Sequence, residues 1–268
     1  MKVYSWEEFA AAPSLDPLAA TIGVFDGLHL GHQALMRAVL AERPELSPCV
    51  ITFRDNPKKK LHPASYRGSL ITVEQKLAAV AALGIEHCVL IDFSDKFATL
   101  AGREFLTALY LANVRFVAVG ENFQFGYKLD TDASRLASTC EEFGMRSCIV
   151  KNVMYRGHPV SSSRIRNAVL EGRMREASEM LTRPYQMPLV RAEGERGEGG
   201  GWGAPGDDLV LPPEGIYDAI VLDGHEERAT AVSVAHRHIE IGLRMRSELI
   251  RLAFVDKATQ EKENLVWL

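Results

Sequence analysis

No stretch of this sequence is long and apolar enough to cross a bilayer. The most apolar segments, Ala78 to Ile85 and Cys88 to Ile91, fall far below the ~18 residues that a spanning helix needs. No amino-terminal leader is expected: Glu7, Glu8 and Asp16 interrupt the place of an apolar core, and Pro13 and Pro17 would break it. Cysteine is scarce, and Cys49, Cys88, Cys140 and Cys148 show no close CxxC spacing. Cys88 and Cys148 lie in apolar runs and read as reduced core residues, which points to the cytoplasm. Positive charge is not in excess: 31 Lys and Arg face 35 Asp and Glu, for a net charge of −4. That balance argues against a broadly basic nucleic-acid binder and leaves room for a local basic pocket. No internal repeat and no coiled-coil heptad stands out. What is present, 268 residues at 47% hydrophobic and 25% charged, can bury a sizeable core and suggests two domains.

Two patterns alternate as far as residue 186. Strand-like runs are Ala19–Phe25, Cys49–Phe53, His87–Ile91, Val114–Val119 and Arg146–Val150. Helical stretches lie between and after them: Gly31–Ala41, Val73–Leu83, Arg103–Leu111, Asp132–Phe143 and Ser163–Leu170. This alternation predicts a mostly parallel sheet covered on both faces, with ligands outside the carboxyl ends of its strands. The pattern stops near Pro184. Residues 191–208 hold seven glycines and seven charged residues in eighteen, the composition of a mobile linker with no core to bury. Beyond it, Ile216–Leu222, Ala229–Ala235, His238–Leu243 and Leu249–Val255 read as the strands of a small all-β module.

The strongest chemical signal runs from the end of the first predicted strand into the first helix: Gly23-Val24-Phe25-Asp26-Gly27-Leu28-His29-Leu30-Gly31-His32. Gly27 and Gly31 permit a tight turn and close approach of backbone to a ligand. The helix start offers free N–H groups and a positive dipole end to a phosphate. His29 and His32 are three apart, so a helical first turn sets both imidazoles on one side, where they can donate to phosphate oxygens in a transition state. The rival readings are a helix cap and a metal site. A metal would need a third and usually a fourth ligand, and only Asp26 is near in sequence.

This decapeptide resembles the prokaryotic FAD synthetase family, which couples riboflavin kinase and FMN adenylyltransferase modules. Three further stretches carry the resemblance: Thr52-Phe53-Arg54-Asp55-Asn56-Pro57, Val119 to Gly126 around Asn122, Phe123 and Phe125, and Val160-Ser161-Ser162-Ser163-Arg164-Ile165-Arg166. The run Gly172 to Tyr185 is also similar to the close of that family's transferase domain. The resemblance implies a Rossmann-like nucleotidylyltransferase domain over residues 1–186, followed by a barrel-like β module over 187–268. It implies ATP and FMN as substrates with Mg²⁺, FAD as product, and no covalent intermediate. His29, His32 and Arg166 are the expected catalytic residues. Gly23, Phe25, Asp26, Gly27, Gly31, Asn122, Phe123, Phe125, Ser161, Ser162 and Ser163 are the expected binding residues, with no metal ligand among them.

Each of these residues also has an ordinary structural reading. Asn122 suits a turn at a strand end, Phe123 and Phe125 suit a core, and the serines suit a helix cap. Lys58, Lys59 and Lys60 read as a solvated surface or as a basic run steering an anionic flavin. The chain departs from the family pattern at Asn56, Leu129 and Thr131-Asp132.

In that family the kinase barrel carries Pro-Thr-Ala-Asn. None of the twelve prolines here is followed by Thr. Leu211 to Tyr217 does resemble the family's Pro-Pro-x-Gly-x-Tyr strand, so a shortened kinase-like module without kinase activity is expected. Other expectations are transfer to a different phosphorylated acceptor, or a flavin-binding regulator without turnover. The expected partners are a small-molecule nucleotide and a flavin, with no nucleic acid and no membrane; oligomeric state is left open.

Overall fold

The computed structural model describes residues 1–11, 16–192, 202–206 and 208–258. The chain divides into two compact units, Met1–Tyr66 with Val73–Pro159, and Arg67–Thr72 with Val160–Leu268. Among the described residues no helix is long and apolar enough to cross a membrane.

The first unit contains β1 (Lys2–Ser5), α1 (Trp6–Ala11), β2 (Leu18–Ile22), α2 (Leu30–Leu40), β3 (Ser47–Phe53), α3 (Pro57–Leu61), α4 (Val73–Ala82), β4 (His87–Ile91), α5 (Asp95–Ala98) and α6 (Gly102–Leu111). It continues with β5 (Val114–Gly120), β6 (Gln124–Phe125), β7 (Thr131–Asp132), α7 (Ala133–Glu142), β8 (Arg146–Val150), β9 (Met154–Tyr155) and β10 (His158–Pro159). Six strands pair in parallel in the order β1-β4-β3-β2-β5-β8. Every residue of β2 is buried, as expected of a central strand covered on both faces. Leu35, Met36 and Val39 of α2 and Phe105, Leu106 and Leu109 of α6 supply buried apolar faces. The strand order reverses at β2: β3 and β4 build out on one side of it, β5 and β8 on the other. The crevice at such a reversal is where open α/β sheets bind ligands.

Two local differences from expectation have physical causes. β2 ends at Ile22, not at Phe25, because Phe25 turns to φ +52° and leaves the ladder. Cys148 is only half-buried, whereas Cys49, Cys88 and Cys140 are buried. Burial pushes the Cys88 and Cys140 thiols up to about 11.

The second unit contains α8 (Ser162–Leu170), α9 (Met174–Leu181), β11 (Tyr185–Arg191), β12 (Gly203–Ala204), β13 (Gly215–Asp223), β14 (Glu226–Ala235), β15 (His238–Ile241) and β16 (Leu249–Lys257). Its strands close into an antiparallel barrel in the order β11-β12-β15-β14-β13-β16. Tyr185, Trp202, Tyr217, Leu252 and Phe254 are all at most 1% exposed. The reading of 191–208 as a linker with no core to bury is therefore corrected at its described end. Trp202 is buried under the Arg191 guanidinium, and Gly203 pairs with Arg191 and Ile239. A Cβ on Gly203 would stand 1.6 Å from the Val190 carbonyl oxygen, so only glycine fits that crossing. Residues 193–201 and 207 of the expected linker lie outside the described residues.

Candidate active site

The loop after β2 makes an unusual backbone turn. Phe25, Gly27 and Leu28 all take positive φ, at +52°, +85° and +47°. Two of these are not glycine, which costs on the order of 1–3 kcal/mol each. Their side chains are 1% and 2% exposed, and burying both offsets much of that strain. Phe25 also meets the His32 ring edge-on at 5.2 Å between centroids. Asp26 is buried, at 4% exposure.

His29 is the N-cap of α2, just before its first turn. Its Nδ1 accepts the backbone N–H of His32 at 3.4 Å. That acceptor role puts the ring proton of neutral His29 on Nε2, which is free to donate elsewhere. The two imidazoles stack at 3.6 Å with 19° between their planes. Burial lowers the His29 pKa to about 4, with a backbone hydrogen bond opposing it. Burial also holds His32 well below the usual imidazole range, helped by the charges of His29 and Lys76. His32 Nδ1 is buried and has no hydrogen-bond partner. At neutral pH the pair is therefore uncharged, a set of fixed donors at the positive end of α2. Gly31 lies in the first turn of this helix and Gly23 at the carboxyl end of β2.

This arrangement predicts a pH dependence of stability. The unfolded chain binds a proton at His29 between 6.5 and about 4, and the folded protein does not. The unfolded state then holds more protons, so stability falls as pH is lowered through that window. His32 acts in the same direction. Urea unfolding at several pH values is expected to show this loss, and His29→Asn to make it smaller.

β5 lies beside β2, so the segment after β5 leaves the sheet on the same edge as the histidine loop. Asn122 is exposed in the turn there. Phe123 and Phe125 are half-buried, stacked on each other at 5.2 Å and packed on the core, with Phe125 edge-on to Phe105. Their aromatic faces thus serve the fold first. The sequence departures nearby have local work. Asp130 accepts from the Gly102 N–H at the start of α6 (3.1 Å), Thr131 is buried, and Asp132 caps α7.

At the end of β3, Thr52 is buried and donates from Oγ1 to the Val24 carbonyl at 3.1 Å. Asn56 caps α3, which carries Lys58, Lys59 and Lys60. Lys60 pairs with Asp95 at 2.7 Å on the surface. Sequence reasoning missed Lys76, buried in the same region. The signal was available: Lys76 falls on the apolar stripe formed by Val73, Leu77 and Val80.

In the second unit, Ser161 caps α8, its Oγ accepting the Arg164 N–H at 3.2 Å. Ser162 opens the helix and Ser163 is exposed. Arg166 donates from Nε to the Gly68 carbonyl at 2.8 Å, and Arg164 pairs with Glu176 at 3.3 Å. Among the described residues no three His, Cys, Asp or Glu side chains cluster to hold a metal.

A parallel α/β sheet whose central strand runs into a capped His-x-Gly-His helix start, with an antiparallel barrel after it, defines a nucleotide-binding protein of the nucleotidyltransferase kind. Residues 12–164 match the sequence model of FAD synthetase, and the chain belongs to that family. It is 31% identical over 238 residues to the "FAD synthetase" of Listeria monocytogenes, spanning 87% of this chain and 91% of that one. It is 26% identical to the "Bifunctional riboflavin kinase/FMN adenylyltransferase" of Escherichia coli, spanning 85% of this chain and 76% of that one. Among solved structures, a Streptococcus pneumoniae protein titled "Macrolide-efflux Protein" shares the fold, with a TM-score of 0.84 and 24% identity. That match covers 96% of this chain and all of the other, and at such identity it shows the fold alone.

Proposed function

We propose that the protein is an FMN adenylyltransferase, which transfers AMP from ATP to FMN to give FAD and pyrophosphate. Family membership supports the reaction, and the stacked His29–His32 pair at the start of α2 carries the reading. An FMN phosphate oxygen attacks the α-phosphorus in line, and pyrophosphate leaves. His29 Nε2–H and the His32 ring donate to oxygens whose negative charge grows in the transition state. Gly23, Phe25, Asp26, Gly27 and Gly31 shape the loop that admits the phosphates, and Asn122 offers an amide to the nucleotide. Ser161, Ser162, Ser163 and Arg166, at the start of α8, hold the β- and γ-phosphates. Phe123 and Phe125 form an aromatic edge for a flat ring. Mg²⁺ neutralises phosphate charge when it is bound.

Residues 1–186 form the transferase part and 187–268 a shortened kinase-like module without kinase activity. The missing Pro-Thr sequence supports this, as does the single-function name of the Listeria relative. Four free cysteines suit a reducing cytoplasm. The acceptors are small molecules, with no nucleic acid. Incubation with Mg²⁺-ATP and either FMN or riboflavin, followed by chromatography, is expected to yield FAD from FMN and nothing from riboflavin. Product from riboflavin would restore a kinase role to the barrel. No product from FMN would overturn the assignment.

A further inference from the structure

Lys76 lies on the inner face of α4 and is 5% exposed. Its ammonium donates to the Phe53 carbonyl at 2.7 Å, the Val24 carbonyl at 3.1 Å and the Thr52 hydroxyl at 3.5 Å. An ammonium has three N–H donors, and these three acceptors use them all. Two acceptors belong to the end of β3. The third belongs to the loop that presents His29 and His32. One side chain thus ties together the loops of two neighbouring strands.

A methionine at this position would cover the same strand ends without the desolvation cost of burying an ammonium. None of the three acceptors is a carboxylate. Burial lowers the Lys76 pKa, and Asp26, Cys88 and Asp55 oppose that from further away. The fold therefore keeps a cation where the simplest packing would have none.

We propose that Lys76 is a positioning residue for adenylyl transfer, an inference that rests on the function proposed for the histidine loop. It fixes that loop against Thr52 and Phe53 at the end of β3, and it adds a positive charge whose field reaches His32. The charge has a consequence that packing alone would not: after burial and His29, it adds to what lowers the His32 pKa.

The test compares wild type, Lys76→Met, which removes both donors and charge, and Lys76→Gln, which keeps a donor without the charge. FAD formation is followed across pH, with thermal melts as a check on folding. In Lys76→Met, kcat is expected to fall about 10–10²-fold, with the ATP KM changed less than about threefold. The acid limb of the pH profile is expected to move to higher pH in both variants, because His32 loses its cationic neighbour. Lys76→Gln is expected to recover part of kcat and to keep the moved limb. Any other pattern overturns the proposal, including an unmoved limb or the failure of both variants to fold. If one variant alone folds, its kcat and limb decide. If wild type makes no FAD, the functional reading itself fails. NMR titration of the His32 ring in wild type and Lys76→Gln then decides separately whether Lys76 acts on it.

Discussion

His32→Ala is expected to lower the turnover of FMN and ATP into FAD by about 10²–10³, the loss found when one fixed transition-state donor is removed. In free energy that is about 2.7–4 kcal/mol. The size follows from the setting. The ring sits at the positive end of α2, stacked on His29 at 3.6 Å and braced edge-on by Phe25 at 5.2 Å. It is already aimed before charge develops, so the transition state does not have to orient it. The substitution also removes that stack, so a thermal melt is needed to separate lost folding from lost chemistry. Folding and catalysis are best separated at the neighbouring histidine. His29 caps α2 through Nδ1, and asparagine is as good a cap. His29→Asn should therefore keep the helix start and still lose the donating ring. Steady-state FAD formation at saturating Mg²⁺-ATP and FMN measures both variants. Rates within about fivefold of wild type in both would remove the histidines from the chemistry.

Trp202→Ala is expected to destabilise the barrel by about 3–5 kcal/mol, the range for a fully buried Trp or Phe truncated to alanine. Trp202 is 1% exposed, and the Arg191 guanidinium lies over its ring at 5.5 Å. The next residue, Gly203, crosses so close to Val190 that the strand has no room to shift and refill the space. A cavity would therefore remain, and the cost should fall near the upper part of the range. Urea unfolding followed by circular dichroism reads the loss as a lower midpoint. A change under about 1 kcal/mol would mean that the ring does not anchor the barrel.

The elements that sequence reasoning found share one property, a local periodic signal. The strands His87–Ile91 and Arg146–Val150 were predicted with the bounds observed, and α2, α4, α6, α7 and α8 within a residue or so of theirs. Of the missed elements, α9 carries such a signal, with Met174, Ala177 and Leu181 buried at helical spacing, but β1 and β11 do not. β1 is a four-residue edge strand with an exposed start. β11 contains Pro188, which argues against a strand in a sequence. It is accommodated because β12 pairs with β11 only at Val190 and Arg191. Trp202 was hidden by its setting, since seven glycines in eighteen residues average to a linker whatever the single tryptophan does. At the candidate site, the motif from Gly23 to His32 was legible with its strand-to-helix setting. The expectation that both histidines lie within a first turn was not: His29 stands outside it, as the cap. Lys76 was passed over because a lysine between apolar positions looks like noise until its three acceptors are seen.

The alternation of strand and helix, the change to an all-β texture after Pro184 and the placement of motifs at strand ends are all properties of neighbouring residues, so they can be read along the chain. The strand order that reverses at β2, the stacking and shared desolvation of His29 and His32, the three-way bond of Lys76 and the burial of Trp202 beside a barrel strand are different in kind. Each depends on burial, or on groups tens of residues apart whose distances no local rule sets. Burial and hydrogen-bond geometry exist only after the chain has folded, and it is these that lower the pKa values of two ordinary imidazoles.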